Sequence, residues 1–232
     1  MKIEILFPCC CNLFGDLSNM DYLRKCLPQA QFVETPITEE PLFVRENVDM
    51  VYLGPMTERC QERVLECLRP HRYRIWDLIN QGTLFLFTGN AFELTGEYIE
   101  KDDGSRLECL GIFPLYAQQD MMHRHNSIFL GEFEGQPIMG FKSQFTMAYP
   151  LSENIGLFPV KKGVGLNKKC TFEGIHYKNF FGTYLLGPLL LLNPNFTKYL
   201  LNCLGAGDTP LALEQEVQAA YEKRLADFQE KA

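Results

Sequence analysis

The chain has 232 residues, 46% hydrophobic and 22% charged, enough for one globular α/β domain with a sizeable core, or for such a domain with a short extension. Its 22 basic and 29 acidic side chains leave a formal charge of −7, which argues against nucleic-acid backbone binding, a task that needs clustered cations to displace counterions. Nine cysteines, an odd number without regular spacing, suggest no disulfide framework; free thiols in a reducing cytoplasm are the simplest reading.

Residues 3–7 read as a buried first strand, too short and too acidic (Glu4) for a secretory signal. A loop follows, and Asp16 or Ser18 is expected to cap a helix over residues 19–27. Residues 31–34 and 48–53 read as the second and third strands. Residues 57–79 carry helical spacing, broken or kinked at Pro70. Residues 83–87, apolar from Leu84 on, predict a central, parallel fourth strand, which ends in the tight turn Thr88-Gly89-Asn90 and a short helix over 91–94. This alternation implies the α/β class: a doubly wound, mostly parallel sheet flanked by helices.

After that the pattern changes. Asp102-Asp103-Gly104 marks a hairpin turn, and short strands near 112–116, 127–133 and 137–142 suggest an antiparallel extension. Residues 149–169, rich in Gly, Lys and Asn, are expected to form a long loop, with Lys161-Lys162 and Lys168-Lys169 as solvated charge. The chain returns to the core at 174–185, and a helix covers 196–204. A Gly-Ala-Gly-Asp break at 205–208 precedes a last helix from 210 to about 230. Its apolar residues Leu213, Val217, Ala220, Tyr221, Leu225 and Phe228 share one face, which either packs on the chain's own core or docks a partner. The longest apolar run, 185–192, is interrupted by Gly187 and Pro188 and cannot span a bilayer.

The segment Gly174-Ile175-His176-Tyr177-Lys178-Asn179-Phe180-Phe181-Gly182-Thr183-Tyr184-Leu185-Leu186-Gly187-Pro188 resembles the C-terminal motif of class I glutamine amidotransferase domains of the cobyric acid synthase type. It is also similar to the glutaminase subunits of lipid II isoglutaminyl synthases. The run Asn12-Leu13-Phe14-Gly15-Asp16-Leu17-Ser18-Asn19 resembles the family's Asn-Leu-Tyr-Gly-Asp-x-Gly-Asn. Gly54, Arg59 and Gln61 are retained from a glycine-rich segment, and the run from Tyr98 to Glu108-Cys109-Leu110-Gly111 resembles its hairpin. The resemblance covers roughly residues 3–204. It implies a flavodoxin-like amidotransferase domain over 1–204, with 205–232 as a helical extension.

It also implies a dismantled site. The family's nucleophilic cysteine falls at Thr88, in Thr88-Gly89-Asn90-Ala91-Phe92, and its basic histidine at Leu186. A thiolate is reachable near neutral pH, whereas an alcohol needs a base, and Leu186 can neither take nor give a proton. The glycines whose N–H groups would hold the substrate oxygen are here Gly54-Pro55-Met56, and Pro55 has no N–H. In a comparable hydrolase, loss of one member of such a unit costs about 10⁶ in rate. The pocket region is thus expected at Gly54, Pro55, Thr88, Gly89 and Asn90, with no base beside Thr88. Arg124 is either the arginine that meets a glutamine carboxylate or a solvent-facing strand residue. His176 reads as structural, and Asp16 and Asn19 as helix caps or interaction residues.

Adjacent thiols at Cys9-Cys10-Cys11 point apart and chelate poorly, and nothing in the sequence joins them to His123 or His125, so neither metal nor cofactor is expected. Three roles remain open at this stage. One is a non-catalytic protein that binds a partner, such as a Mur-ligase-like synthetase or an active homologue. Another is a pocket holding a different small molecule for different chemistry. The last is a glutaminase relying on Cys10 or on a residue from a partner.

Overall fold

The computed structural model describes residues 1–230. The first half alternates as expected: β1 (Lys2–Leu6), α1 (Ser18–Cys26), β2 (Gln31–Thr35), α2 (Leu42–Arg45), β3 (Met50–Leu53), α3 (Glu58–Leu68), α4 (Arg72–Gln81) and β4 (Leu84–Thr88). The Thr57 side chain caps α3 by accepting the Cys60 N–H at 3.3 Å, and Val64, Leu65 and Leu68 fall on its buried face. Pro70 sits in the 3₁₀ turn Arg69–His71 that separates α3 from α4, because a proline nitrogen cannot continue the α ladder. Gly82, at φ +93°, ends α4 in the left-handed conformation that a side chain disfavours.

The second half is antiparallel. It comprises β5 (Tyr98–Glu100), β6 (Arg106–Glu108), β7 (Leu115–Gln119), β8 (His125–Phe133), β9 (Gln136–Gln144), β10 (Thr146–Pro150), β11 (Gly156–Lys162), β12 (Phe172–Tyr177) and β13 (Phe180–Thr183). Glu134 and Gly135 both have positive φ, which matches the twist of a two-residue hairpin between β8 and β9. The chain closes with α5 (Leu189–Leu192), α6 (Pro194–Cys203) and α7 (Glu214–Glu230).

Among the described residues, one sheet runs β2-β1-β3-β4-β13-β12-β11-β8-β9 and a second runs β10-β7-β5-β6. In the large sheet β4 is parallel to both β3 and β13, and beyond β13 every neighbour is antiparallel. All five β4 residues are buried, as a strand covered on both faces requires.

Two expectations fail here. Residues 149–169 are not a loop: they hold the end of β10 and all of β11, which pairs with β12 and β8. The glycines that suggested a loop serve close packing instead; a Cβ on Gly156 would stand 2.6 Å from the Phe172 ring. Asp16 and Ser18 do not cap α1, whose N-cap position is Leu17 without a side-chain bond. The Leu17 N–H is taken by Asn12 Oδ1, at 2.9 Å. The apolar face of α7 is occupied by its own chain: Tyr221 and Phe228 pack on Leu130 and Met139, and the Tyr221 hydroxyl donates to Pro137 O at 3.0 Å. Leu213, ahead of that helix, stays exposed.

Candidate functional site

Strand β4 delivers Thr88 to the edge of the sheet where α/β proteins place their ligands. Thr88 itself keeps strand dihedrals, φ −110° and ψ 157°, and it is Gly89 that turns, at φ +56°. In a strand-to-helix elbow the residue at the strained turn is the one whose side chain is lifted towards a substrate. Here that residue has no side chain. A Cβ built on Gly89 would collide with Pro55 Cβ and press on Leu186 Cδ2 at 3.3 Å. Pro55 and Leu186 therefore close over the apex from two loops.

Beneath the elbow lies a carboxylate that the sequence reading did not anticipate. Thr88 was expected to have no proton acceptor, yet its Oγ1 donates to Asp16 Oδ2 at 2.5 Å. The Tyr52 hydroxyl donates to the same oxygen and lies 3.3 Å from Thr88 Oγ1. Asn19 Nδ2 donates to it at 3.2 Å, and the Gly187 N–H donates to Asp16 Oδ1. Asp16, Asn19, Tyr52 and Thr88 are all fully buried. Burial pushes the Asp16 carboxyl above the usual carboxylate range, against the pull of Thr88, Tyr52, Gly187 and Asn19, and it raises the Tyr52 phenol as well. Asp16 and Asn19 are thus neither caps nor surface contacts. They join β3, β4, α1 and the start of α5, where Asn19 Oδ1 accepts the Leu190 N–H at 3.0 Å.

The neighbouring oxyanion region is equally committed. Pro55 offers no N–H, and the Met56 N–H donates to Asn90 Oδ1 at 3.0 Å, while Asn90 Nδ2 returns a bond to Met56 O at 2.8 Å. Gln61 Nε2 donates to Asn90 O and to Glu93 Oε2, each at 2.9 Å. Glu93 also accepts from the hydroxyls of Thr146 and Tyr184. Burial pushes Glu93 up to about 7, opposed by the Thr146, Gln61 and Tyr184 bonds. The sequence reading missed Glu93 and Tyr52. The available signal for Glu93 was an acid inside the apolar run Phe92-Glu93-Leu94, at the start of a segment that had to enter the core.

No family model matches the chain. Over 194 residues it is 29% identical to the lipid II isoglutaminyl synthase (glutamine-hydrolyzing) subunit GatD of Staphylococcus aureus, covering 82% of this chain and 78% of that protein. The subunit of the same name from Streptococcus pneumoniae is 24% identical over 209 residues, covering 87% and 79%. A solved glutamine amidotransferase superposes with a TM-score of 0.54 at 11% identity, covering 87% of this chain and 98% of that one. A glutamine amidotransferase from Thermotoga maritima superposes with a TM-score of 0.53 at 10% identity, covering 96% and 92%. The chain has a class I glutamine amidotransferase-like fold.

Within this amidotransferase-like frame, the remaining sequence candidates fall into separate places. Arg124 stands exposed on the rim, its guanidinium 4.5 Å from the Phe145 ring and Nη1 3.5 Å from Ser143 Oγ. It borders a narrow cleft of about 60 Å³ that also touches Phe14, Met56 and Asn90 but not Thr88. Cys11 is buried with Sγ 4.0 Å from Met56 Sδ, and burial raises the thiol pKa of both Cys10 and Cys11, so neither is prepared as a thiolate. Among the described residues, no group of three His, Cys, Asp or Glu side chains could hold a metal ion. His176 stacks on Phe181 with centroids 4.6 Å apart and donates from Nε2 to Lys178 O at 2.6 Å. Among the described residues no helix is long and apolar enough to cross a membrane.

Proposed function

We propose that this chain is an amidotransferase-like protein without glutaminase activity, which acts through a protein partner. The observation that carries the reading is the closed elbow: its apex is Gly89, roofed by Pro55 and Leu186. The alcohol beneath it is buried and already bonded to a carboxylate. A glutamine carbonyl would need an accessible nucleophile and two free N–H donors, and Thr88, Pro55 and Met56 provide none of these. In this reading the elbow's apex, where a nucleophile would stand, is Gly89 rather than Thr88, the position the motif resemblance suggests, and Leu186 stands at the base position. The curated relatives are by name subunits of a lipid II isoglutaminyl synthase, which supports a role in the cytoplasm beside a Mur-ligase-like synthetase, or beside an active homologue, in the peptidoglycan branch rather than the cobalamin one.

Ammonia release from glutamine by the purified chain, alone and with such a synthetase added, tests this. The expected result is no release above background in either case. Saturable release that disappears in Thr88→Val would overturn it. That outcome would favour a second reading in which the 2.5 Å Thr88–Asp16 pair is a working alcohol–carboxylate dyad exposed by a partner. A glutamine-mimicking electrophile is the complementary probe: the first reading expects an unmodified chain, the second an adduct on Thr88.

A further inference from the structure

A roomy cavity lies beside the closed elbow, not in it. It holds about 500 Å³ where β7, the following turn, the start of β8, β10 and the segment after β11 meet. That volume suits a sugar phosphate or a mononucleotide. Its walls unite two basic clusters that lie far apart in the sequence, Arg124 with its histidine neighbours and Lys168-Lys169. The latter line the cavity rather than a free loop.

The chemistry of these walls is selective. Arg124, Lys168 and Lys169 have no ion-pair partner among the described residues, although the chain carries an excess of acids and Lys2, Arg24 and Lys161 each find a carboxylate. The one carboxylate on the wall, Asp120, is engaged by His123 Nδ1 at 2.9 Å. His125 presents a buried Nε2 with no partner. The cations are also braced. Arg124 lies on the Phe145 ring with Nη1 in a long contact of 3.5 Å to Ser143 Oγ, so its planar edge faces no carboxylate among the described residues and suits a forked contact. Asn167, 6% exposed, shapes the lysine turn: its Oδ1 accepts the N–H groups of Lys169 and Cys170 at 2.9 and 3.1 Å, and its Nδ2 donates to Ala148 O at 2.8 Å. Tyr149, stacked on Tyr116 at 5.2 Å, adds a flat wall.

We propose that this cleft binds a phosphate-bearing small molecule, with its phosphate on Arg124, Lys168 and Lys169 and its organic part against Tyr149. Three permanent cations facing one carboxylate leave two positive charges uncompensated, which matches a phosphomonoester dianion. The planar fork of Arg124 fits phosphate oxygens. Apart from Arg124, no residue of this cleft was assigned to the glutamine pocket, and Arg124 does not touch the elbow. The site therefore stands or falls independently of whether the chain hydrolyses glutamine.

Isothermal titration of the full chain with inorganic phosphate and with ribose 5-phosphate, at fixed ionic strength, tests the assignment. Both are expected to bind saturably, the sugar phosphate more tightly. The double variant Lys168→Gln, Lys169→Gln should weaken them at least about tenfold, as loss of charged hydrogen bonds does. The charge-matched control Lys25→Gln, Lys223→Gln should leave affinity within about twofold, since removing remote exposed charges costs little. Absence of saturable heat, equal weakening in both doubles, or glutarate binding as tightly as ribose 5-phosphate would each overturn the proposal.

Discussion

The elbow at Thr88–Asn90 and the cleft at Arg124–Lys169 lie on the same face yet have opposite physical states. At the elbow the side chains of Asp16, Tyr52, Thr88 and Asn90 all have protein partners: Asp16 accepts four donors, and Asn90 consumes both the N–H and the C=O of Met56. In the cleft three cations have no carboxylate partner among the described residues. A site that binds or reacts must hold unsatisfied chemistry in reserve, whereas a satisfied network spends its bonds on stability. By that criterion the elbow network is structural, and the uncompensated charge lies next door.

If the contrast is right, substitutions at the elbow cost stability and substitutions in the cleft do not. The largest effect is expected for Asp16→Ala, which strands the Thr88 and Tyr52 hydroxyls, the Asn19 amide and the Gly187 N–H. Urea unfolding should show a loss of about 4 kcal/mol, the scale for several buried donors losing an acceptor. A loss below about 1 kcal/mol would mean that water already reaches the network, and the comparison would collapse.

Glu93 gives a pH signature of the same region. Its folded pKa of about 7 lies above its ordinary value of 4.5, so the folded chain binds this proton more tightly than the unfolded one. The resulting stability is complete below 4.5 and is lost as pH rises towards 7, by about 3 kcal/mol. Burial raises Asp16 and Glu173 too, so the wild-type slope has the same sign at those groups. Denaturant titrations across this window should be flatter in Glu93→Gln by about that amount, and an unchanged slope would remove Glu93 from the buried network.

Gly89→Ala is expected to destabilise by about 2 kcal/mol, from a positive φ and from the collision with Pro55. Pro55→Gly in the same chain should restore part of that. Strict additivity in the double-mutant cycle would show that Pro55 is not the roof. The smallest effect is expected for Lys168→Ala, within about 0.5 kcal/mol, because its ammonium has no partner among the described residues. A larger loss would make the cleft structural as well.

Much of the parallel half was legible without coordinates. Residues 84–87 are apolar at every position, which points to a strand covered on both faces, and Pro70 announced the break between α3 and α4. The segment 149–169 was not legible. Its Gly, Lys and Asn content looks like a loop until Phe172 and β8 are seen to demand small residues and an extended partner. At the site, the missing cysteine and histidine and the proline at 55 could be read directly as residue types. That the turn falls at Gly89 and not at Thr88 could not, because it is a backbone angle.

By itself, then, the amino-acid order determined which chemical groups exist: no thiol at the elbow, no imidazole at 186, and an α/β alternation that requires a central parallel strand. Only the tertiary structure decided which groups meet. It put Asp16 against Thr88 across 72 positions, and Lys168 beside Arg124 on one cavity wall. The reason is that burial and charge pairing depend on distance in space. Separation along the chain says little about distance once strands from both halves lie in one sheet.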